Sequence, residues 1–185
     1  MKLNKLLKRG QSLLETIFAL GILLIAVTGI LALAVSGATS QKESESQIIA
    51  NNLAREAIEV VRNSRDSNWL SDLNWNYGFG QGQIAIVYFD RQTGSWNFDF
   101  NPQDYFLYVS YDGLYLHDSS GRKSPFSRRI IFEYICQDQD GYEAIKYPCD
   151  SDEQEIGLKL TSEVSWSEKG KDRKVTLEDL LYDWK

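Results

Sequence analysis

Glu15 stands immediately before Thr16–Val35, a run of twenty residues without a charge. A carboxylate beside such a run is costly, on the order of 2.5–3.5 kcal/mol at mid-bilayer and less near the interface, and so calls for a partner. His117 is the only histidine, followed by Asp118-Ser119-Ser120-Gly121. Those are the residue types of an acyl-transfer triad, but no nucleophile-elbow pattern surrounds the serines. Cys136 and Cys149 are the only cysteines, either a bonded pair or two separate thiols. Asp138-Gln139-Asp140-Gly141, with Asp150, Asp152, Glu153 and Glu155 after it, has the composition of a calcium loop. Its spacing does not fit an EF-hand, because Gly141 in the sixth position would make Cys136 the first and Tyr147 the twelfth. A solvated acidic loop is the preferred reading there, and no cofactor or metal is expected. A glycine-rich phosphate loop, a paired-cysteine zinc motif and a histidine cluster are all missing from the sequence, so nothing in it supports an enzyme.

The element that must position Glu15 is a helix. Roughly 20 apolar residues at 1.5 Å per residue cross a bilayer, whereas the apolar core of a secretory signal is about 7–15 residues long. Lys2, Lys5, Lys8 and Arg9 hold the N-terminal side in the cytoplasm, so the chain after Val35 lies outside. Ser12-Leu13-Leu14-Glu15 also fits a capping box, with the serine capping the helix start and the glutamate reaching back to a free N–H. Ala32-Leu33-Ala34 has the small-x-small pattern of ordinary signal peptidase; a cut there would free a secreted domain but leave Glu15 without a role.

Gly10-Gln11-Ser12-Leu13-Leu14-Glu15 followed by an apolar helix resembles the leader junction of type IV pilins and pseudopilins. The resemblance implies a leader of residues 1–10, cleavage between Gly10 and Gln11 by a membrane-embedded prepilin peptidase, and N-methylation of Gln11 by the same enzyme. It makes Glu15 the fifth residue of the processed chain, the family's assembly glutamate. That carboxylate would neutralise the new amine of a neighbouring subunit in a low-dielectric bundle, where the attraction is strengthened. The sequence departs from the family at Gln11, where phenylalanine is usual, and at Ala32, where many major pilins carry a proline. Gly21, Gly29 and Gly37, eight apart, are expected to let helices approach closely.

The chain carries 20 basic and 26 acidic residues, net −6. Four of the basic residues lie in the leader, so the processed chain has 16 against 26, net −10, which argues against a general nucleic-acid surface. Past the leader and the span there is room for one soluble domain. Cys136 and Cys149 both fall in the oxidising exterior, where they are predicted to pair, worth roughly 3 kcal/mol in the chain-entropy model.

After Val35, Ile49, Leu53, Ala57 and Val60 with Ala50, Ala54, Ile58 and Val61 recur at helical spacing, while Arg55, Glu56, Glu59 and Arg62 fill the other face. A helix from about Ser12 to about Arg65 would be on the order of 80 Å long. Ala50–Arg62 also resembles the spine of minor pilins of the pilus-modification type. Beyond Ser67 the sequence turns to aromatic and β-branched runs, predicting strands at 83–90, 104–111, 114–117, 128–137, 155–167 and 174–181. Asp112-Gly113, both of which tolerate positive φ, predicts a tight hairpin, and Glu168–Arg173 a charged loop joining the last two strands. Trp69, Trp75, Trp96, Trp166 and Trp184 are of the type that stacks on sugars, but core or subunit packing is the preferred reading.

The expected fold is therefore α+β, pilin-like: leader 1–10, transmembrane or filament-core helix 11–35, amphipathic helix 36–66, and an extracytoplasmic β-rich domain 67–185 with its antiparallel sheet laid on the helix. The expected function is a structural subunit of a type IV pilus-like filament. Its partners would be prepilin peptidase, other pilin subunits, the inner-membrane assembly machinery and, before assembly, the cytoplasmic membrane. The competing expectation is a single-span anchor displaying an adhesive or binding domain that never polymerises.

Overall fold

The computed structural model describes residues 13–79 and 82–183. The chain is α+β, with one long N-terminal apolar helix, α1 (Leu13–Leu70), packed against a C-terminal antiparallel sheet of eight strands. Contacts divide it into two units, one ending at Glu45 and one running from Ser46. The first unit is helix. The second contains the rest of α1 and the strands β1 (Ile84–Asp90), β2 (Ser95–Asp99), β3 (Phe106–Val109), β4 (Tyr115–Leu116), β5 (Arg122–Gln137), β6 (Glu143–Lys146), β7 (Gln154–Glu168) and β8 (Lys171–Tyr182).

α1 runs past the expected end near Arg65. It closes on a Schellman motif, in which Leu73 N–H donates to Asn68 C=O at 2.9 Å and Asp72 N–H to Trp69 C=O at 3.3 Å. Asp72 takes the left-handed position, φ 54°, that glycine usually fills. An aspartate there leaves no glycine signal in the sequence, so the last turn was hidden.

β5 is the axis of the sheet. Along one edge it pairs with β7 from Phe126↔Trp166 to Gln137↔Gln154, and β7 pairs with β8 from Gly157↔Tyr182 to Glu168↔Lys171. Along its other edge it meets three short partners in turn: β3, then β1, then β6. The β3–β5 register slips where Ser124-Pro125-Phe126 interrupts the ladder, proline having no N–H to give.

All six expected strands are present, with shifted ends, and two more join them. β2 alternates Trp96 and Phe98 with polar residues but is only half-buried, so its pattern is weak. β6, Glu-Ala-Ile-Lys, has poor β-propensity and is held by backbone pairing to β5. The expected loop at Glu168–Arg173 is instead a two-residue turn, Lys169-Gly170, with φ 52° and 73°. That is the geometry of a type I′ hairpin, with lysine where asparagine or aspartate is usual. The Asp112-Gly113 hairpin is present, joining β3 to β4, with Gly113 at positive φ, 84°. Gly113 N–H donates to Ser110 C=O at 3.0 Å and Ser110 N–H to Leu114 C=O at 2.9 Å, giving a three-residue loop with a glycine bulge.

The core lies between the Ser46–Leu70 half of α1 and one face of the sheet. Ala57, Val60, Val61 and Trp69 meet Ile130, Phe132 and Tyr134 of β5 and Leu158 and Leu160 of β7, with Trp75 and Phe79 closing one end. Ala50, Leu53 and Ala54 meet Leu107, Phe126, Val164, Trp166 and Val175 at the other. The opposite face is polar and ion-paired: Arg129 and Lys174 both reach Glu163, and Lys159 bridges Glu133 and Glu178. Period-2 alternation along β5, β7 and β8 separates the two faces.

Candidate functional site

The stem holds the strongest candidate. From Leu13 to Val35 every large apolar side chain is exposed, Leu13 at 77% and Ile25 at 74% among them. The helix is apolar on all sides there, and a helix of that kind belongs in lipid or in a bundle. It is long and apolar enough to cross a membrane. Its two threonines satisfy themselves: Thr16 Oγ1 donates to Leu13 C=O at 2.8 Å, and Thr28 Oγ1 reaches Ile25 C=O at 2.9 Å. Glu15 sits in the first turn, where the positive end of the helix dipole favours an anion. Among the described residues no basic group pairs with it. Gly10, Gln11 and the capping Ser12, with which Glu15 was expected to work, lie outside the described residues.

The glycines of the stem face outward, where neighbouring helices would approach. At about 100° per residue an eight-residue step advances about 80° around the axis, so Gly21, Gly29 and Gly37 face three successive directions, each suited to a different neighbour in a bundle. A Cβ added at any of them would meet nothing within 4 Å.

His117 is positioned by the β3–β4 hairpin. Its Nδ1 lies 3.1 Å from Phe106 C=O, and its Nε2 is buried without a partner. Ser120, the nearby hydroxyl with triad chemistry, donates instead to Asp118 at 2.8 Å. Burial, then the charge of Arg128, pushes the imidazole pKa down from 6.5 to about 4, against weaker support from Phe106 C=O and Asp104. Since the unfolded chain then binds the extra proton between about pH 4 and 6.5, this stabilisation is complete above 6.5 and is lost as pH falls through that window. Acidification from pH 7 to 4.5 should therefore cost about 2–3 kcal/mol through this residue. His117→Asn, which keeps a donor for Phe106 but does not titrate, should flatten that part of the pH profile. Denaturant unfolding at both pH values measures the difference.

Cys136 and Cys149 are bonded, Cα atoms 5.6 Å apart, pinning the chain after β6 to the buried end of β5. Beside them Tyr147 stacks on Tyr134 at 5.3 Å. Asp138 does the work of a turn residue: its Oδ1 accepts from Asp140 N–H and Tyr142 N–H, both at 2.9 Å, while Gly141 takes φ 87°. Lys146 is ion-paired with both Asp150 and Glu153. Trp69, Trp75 and Trp166 are buried and Trp96 packs against the core, so these four rings serve packing; Trp184 lies outside the described residues.

Arg128 was not foreseen. It is 1% exposed and ties three elements together: Nη1 donates to Leu53 C=O at 3.2 Å and to Glu56 at 2.9 Å, and Nη2 to Val87 C=O at 3.2 Å. Burial lowers its pKa and Glu56 opposes that. Period-2 alternation carried the signal, because Arg128 shares a face with Ile130, Phe132 and Tyr134.

No family model, no curated protein and no solved structure matches this chain.

Proposed function

We propose that this chain is a structural subunit of a type IV pilus-like filament, made as a membrane precursor, cut after Gly10, methylated at Gln11 and assembled through its stem. The observation that carries the reading is an uncovered helix, apolar on every side for about six turns, whose only charge is a carboxylate in its first turn.

In the precursor, the stem holds the protein in the cytoplasmic membrane with its N-terminus inside. Prepilin peptidase removes the basic leader and exposes an amine at Gln11. The amine and Glu15 of an adjoining copy then neutralise each other as the stems exchange lipid for one another. A buried pair of opposite charges costs far less than either charge alone. The unit from Ser46 onward, braced by its disulfide, forms the outer, cell-surface part of the filament. Assembly power comes from the inner-membrane machinery, and the chain's own role is packing, without catalysis.

The test is the intact mass of the surface-exposed form. A chain beginning at Gln11 with one added methyl group is expected. One beginning after Ala34, or at Met1, contradicts the reading.

A further inference from the structure

β8 is an open edge. Its twelve residues pair with β7 alone, and among the described residues no strand lies on its other side. Open edges are templates for further pairing, and charges usually guard them against arbitrary strands. Here the first half carries Lys171, Asp172, Arg173 and Lys174, net positive, and the second Glu178 and Asp179, net negative.

We propose that two copies of this chain join edge to edge through β8, antiparallel, about a two-fold axis at Thr176. Such an axis is normal to the sheet, so only registers that keep each face together are allowed. Centring on Thr176 places Lys174 opposite Glu178, Arg173 opposite Asp179 and Val175 opposite Leu177, each twice. Centring on Val175 sets Asp172 against Glu178, and centring on Leu177 sets Val175 against Asp179. Of the three, only the Thr176 register pairs opposite charges on both faces without setting like charges against each other; it also sets Asp172 against Leu180 and Lys171 against Leu181, and Asp179 already holds Arg62 at 2.7 Å. Lys174 and Glu178 are more than half exposed at their side chains, and each already holds one partner within the chain, Glu163 at 2.9 Å and Lys159 at 3.2 Å. Pairing therefore extends the existing ion-pair rows across the joint. The backbone groups on the open side of β8 supply the ladder.

The two-fold axis reverses the direction of Ser46–Leu70 between copies. The joint therefore suits copies on facing surfaces, not parallel neighbours in one filament, and does not depend on stem assembly.

The test uses the full chain in detergent, at a detergent excess that leaves one stem per micelle. Thr176 faces itself across the axis at antiparallel Cα spacing, about 4.5–5.5 Å, within disulfide reach. Thr176→Cys should give a covalent dimer under mild oxidation, and Leu180→Cys, which faces Asp172, should not. Lys174→Glu alone and Glu178→Lys alone should each weaken dimerisation about tenfold. Mixed together they should form a heterodimer, because each then faces the opposite charge. The Thr176→Cys dimer should persist with Glu15→Ala, which separates this joint from the stem. A monomer in every experiment, equal cross-linking from Leu180→Cys, or no rescue on mixing overturns the proposal.

Discussion

Glu15→Ala should leave the protein in the membrane and remove it from filaments. The substitution takes a charge away from a span that is otherwise uncharged, so insertion is unharmed or improved. In the filament the effect is opposite, because the amine of the neighbouring Gln11 then sits in the apolar bundle without an anion. Breaking a buried pair by removing one partner costs about 3–5 kcal/mol, which is on the order of a hundredfold or more in incorporation. Glu15→Gln, which keeps the shape and hydrogen-bonding capacity, should fail almost as badly; Glu15→Asp should recover part of the loss. A plain anchor predicts no change in surface display for any of the three. Membrane fractionation alongside quantitation of sheared filaments reads both quantities from the same cells.

Arg128→Ala should be the most damaging substitution in the folded domain. The guanidinium fills a site between α1, β5 and β1 and is the link from β5 to the C=O of Val87, where β1 has left its pairing with β5 to follow β2. Alanine leaves a cavity, an unpaired Val87 C=O and a Glu56 without its cation, together about 3–5 kcal/mol. Arg128→Met fills the volume and removes the buried charge, so only the loss of hydrogen bonds remains, about 1–2 kcal/mol. Similar losses for both would show that volume contributes little. Glu56→Gln tests the same pair from its half-exposed end and should fall between them. Denaturant midpoints of the four proteins settle the order.

The parts of the fold that follow from periodicity were legible in the sequence. The switch from a 3.6-residue to a 2-residue repeat near Ser67 placed the helix before the sheet, and the apolar faces of α1, β5 and β7 followed from it. The features it obscured are set by backbone geometry. Asp72 ends the helix and Lys169 opens a two-residue turn, both at positive φ without the glycine that advertises such positions. β6 depends on pairing with β5 and on the Cys136–Cys149 closure more than on its own residues. The polar face of the sheet is likewise a product of register, because Glu163 meets Arg129 and Lys174 only once β5, β7 and β8 are aligned.

The candidate site was legible for a different reason. A carboxylate at the edge of an apolar run conflicts with its surroundings, and such conflicts mark function. Arg128 shows the limit of that argument: it is equally out of place by composition, yet it acts as a structural tie whose partners come from two elements distant in sequence, α1 and β1.

The central claim is that the Glu15 carboxylate meets the Gln11 amine of an adjoining copy. A membrane-permeant carbodiimide, applied to filaments grown from a mixture of isotopically light and heavy chains, converts such a contact into an amide. The account predicts a cross-linked peptide joining Gln11 of one label to Glu15 of the other. Glu15 modified without coupling, or coupled only within its own chain, would contradict it.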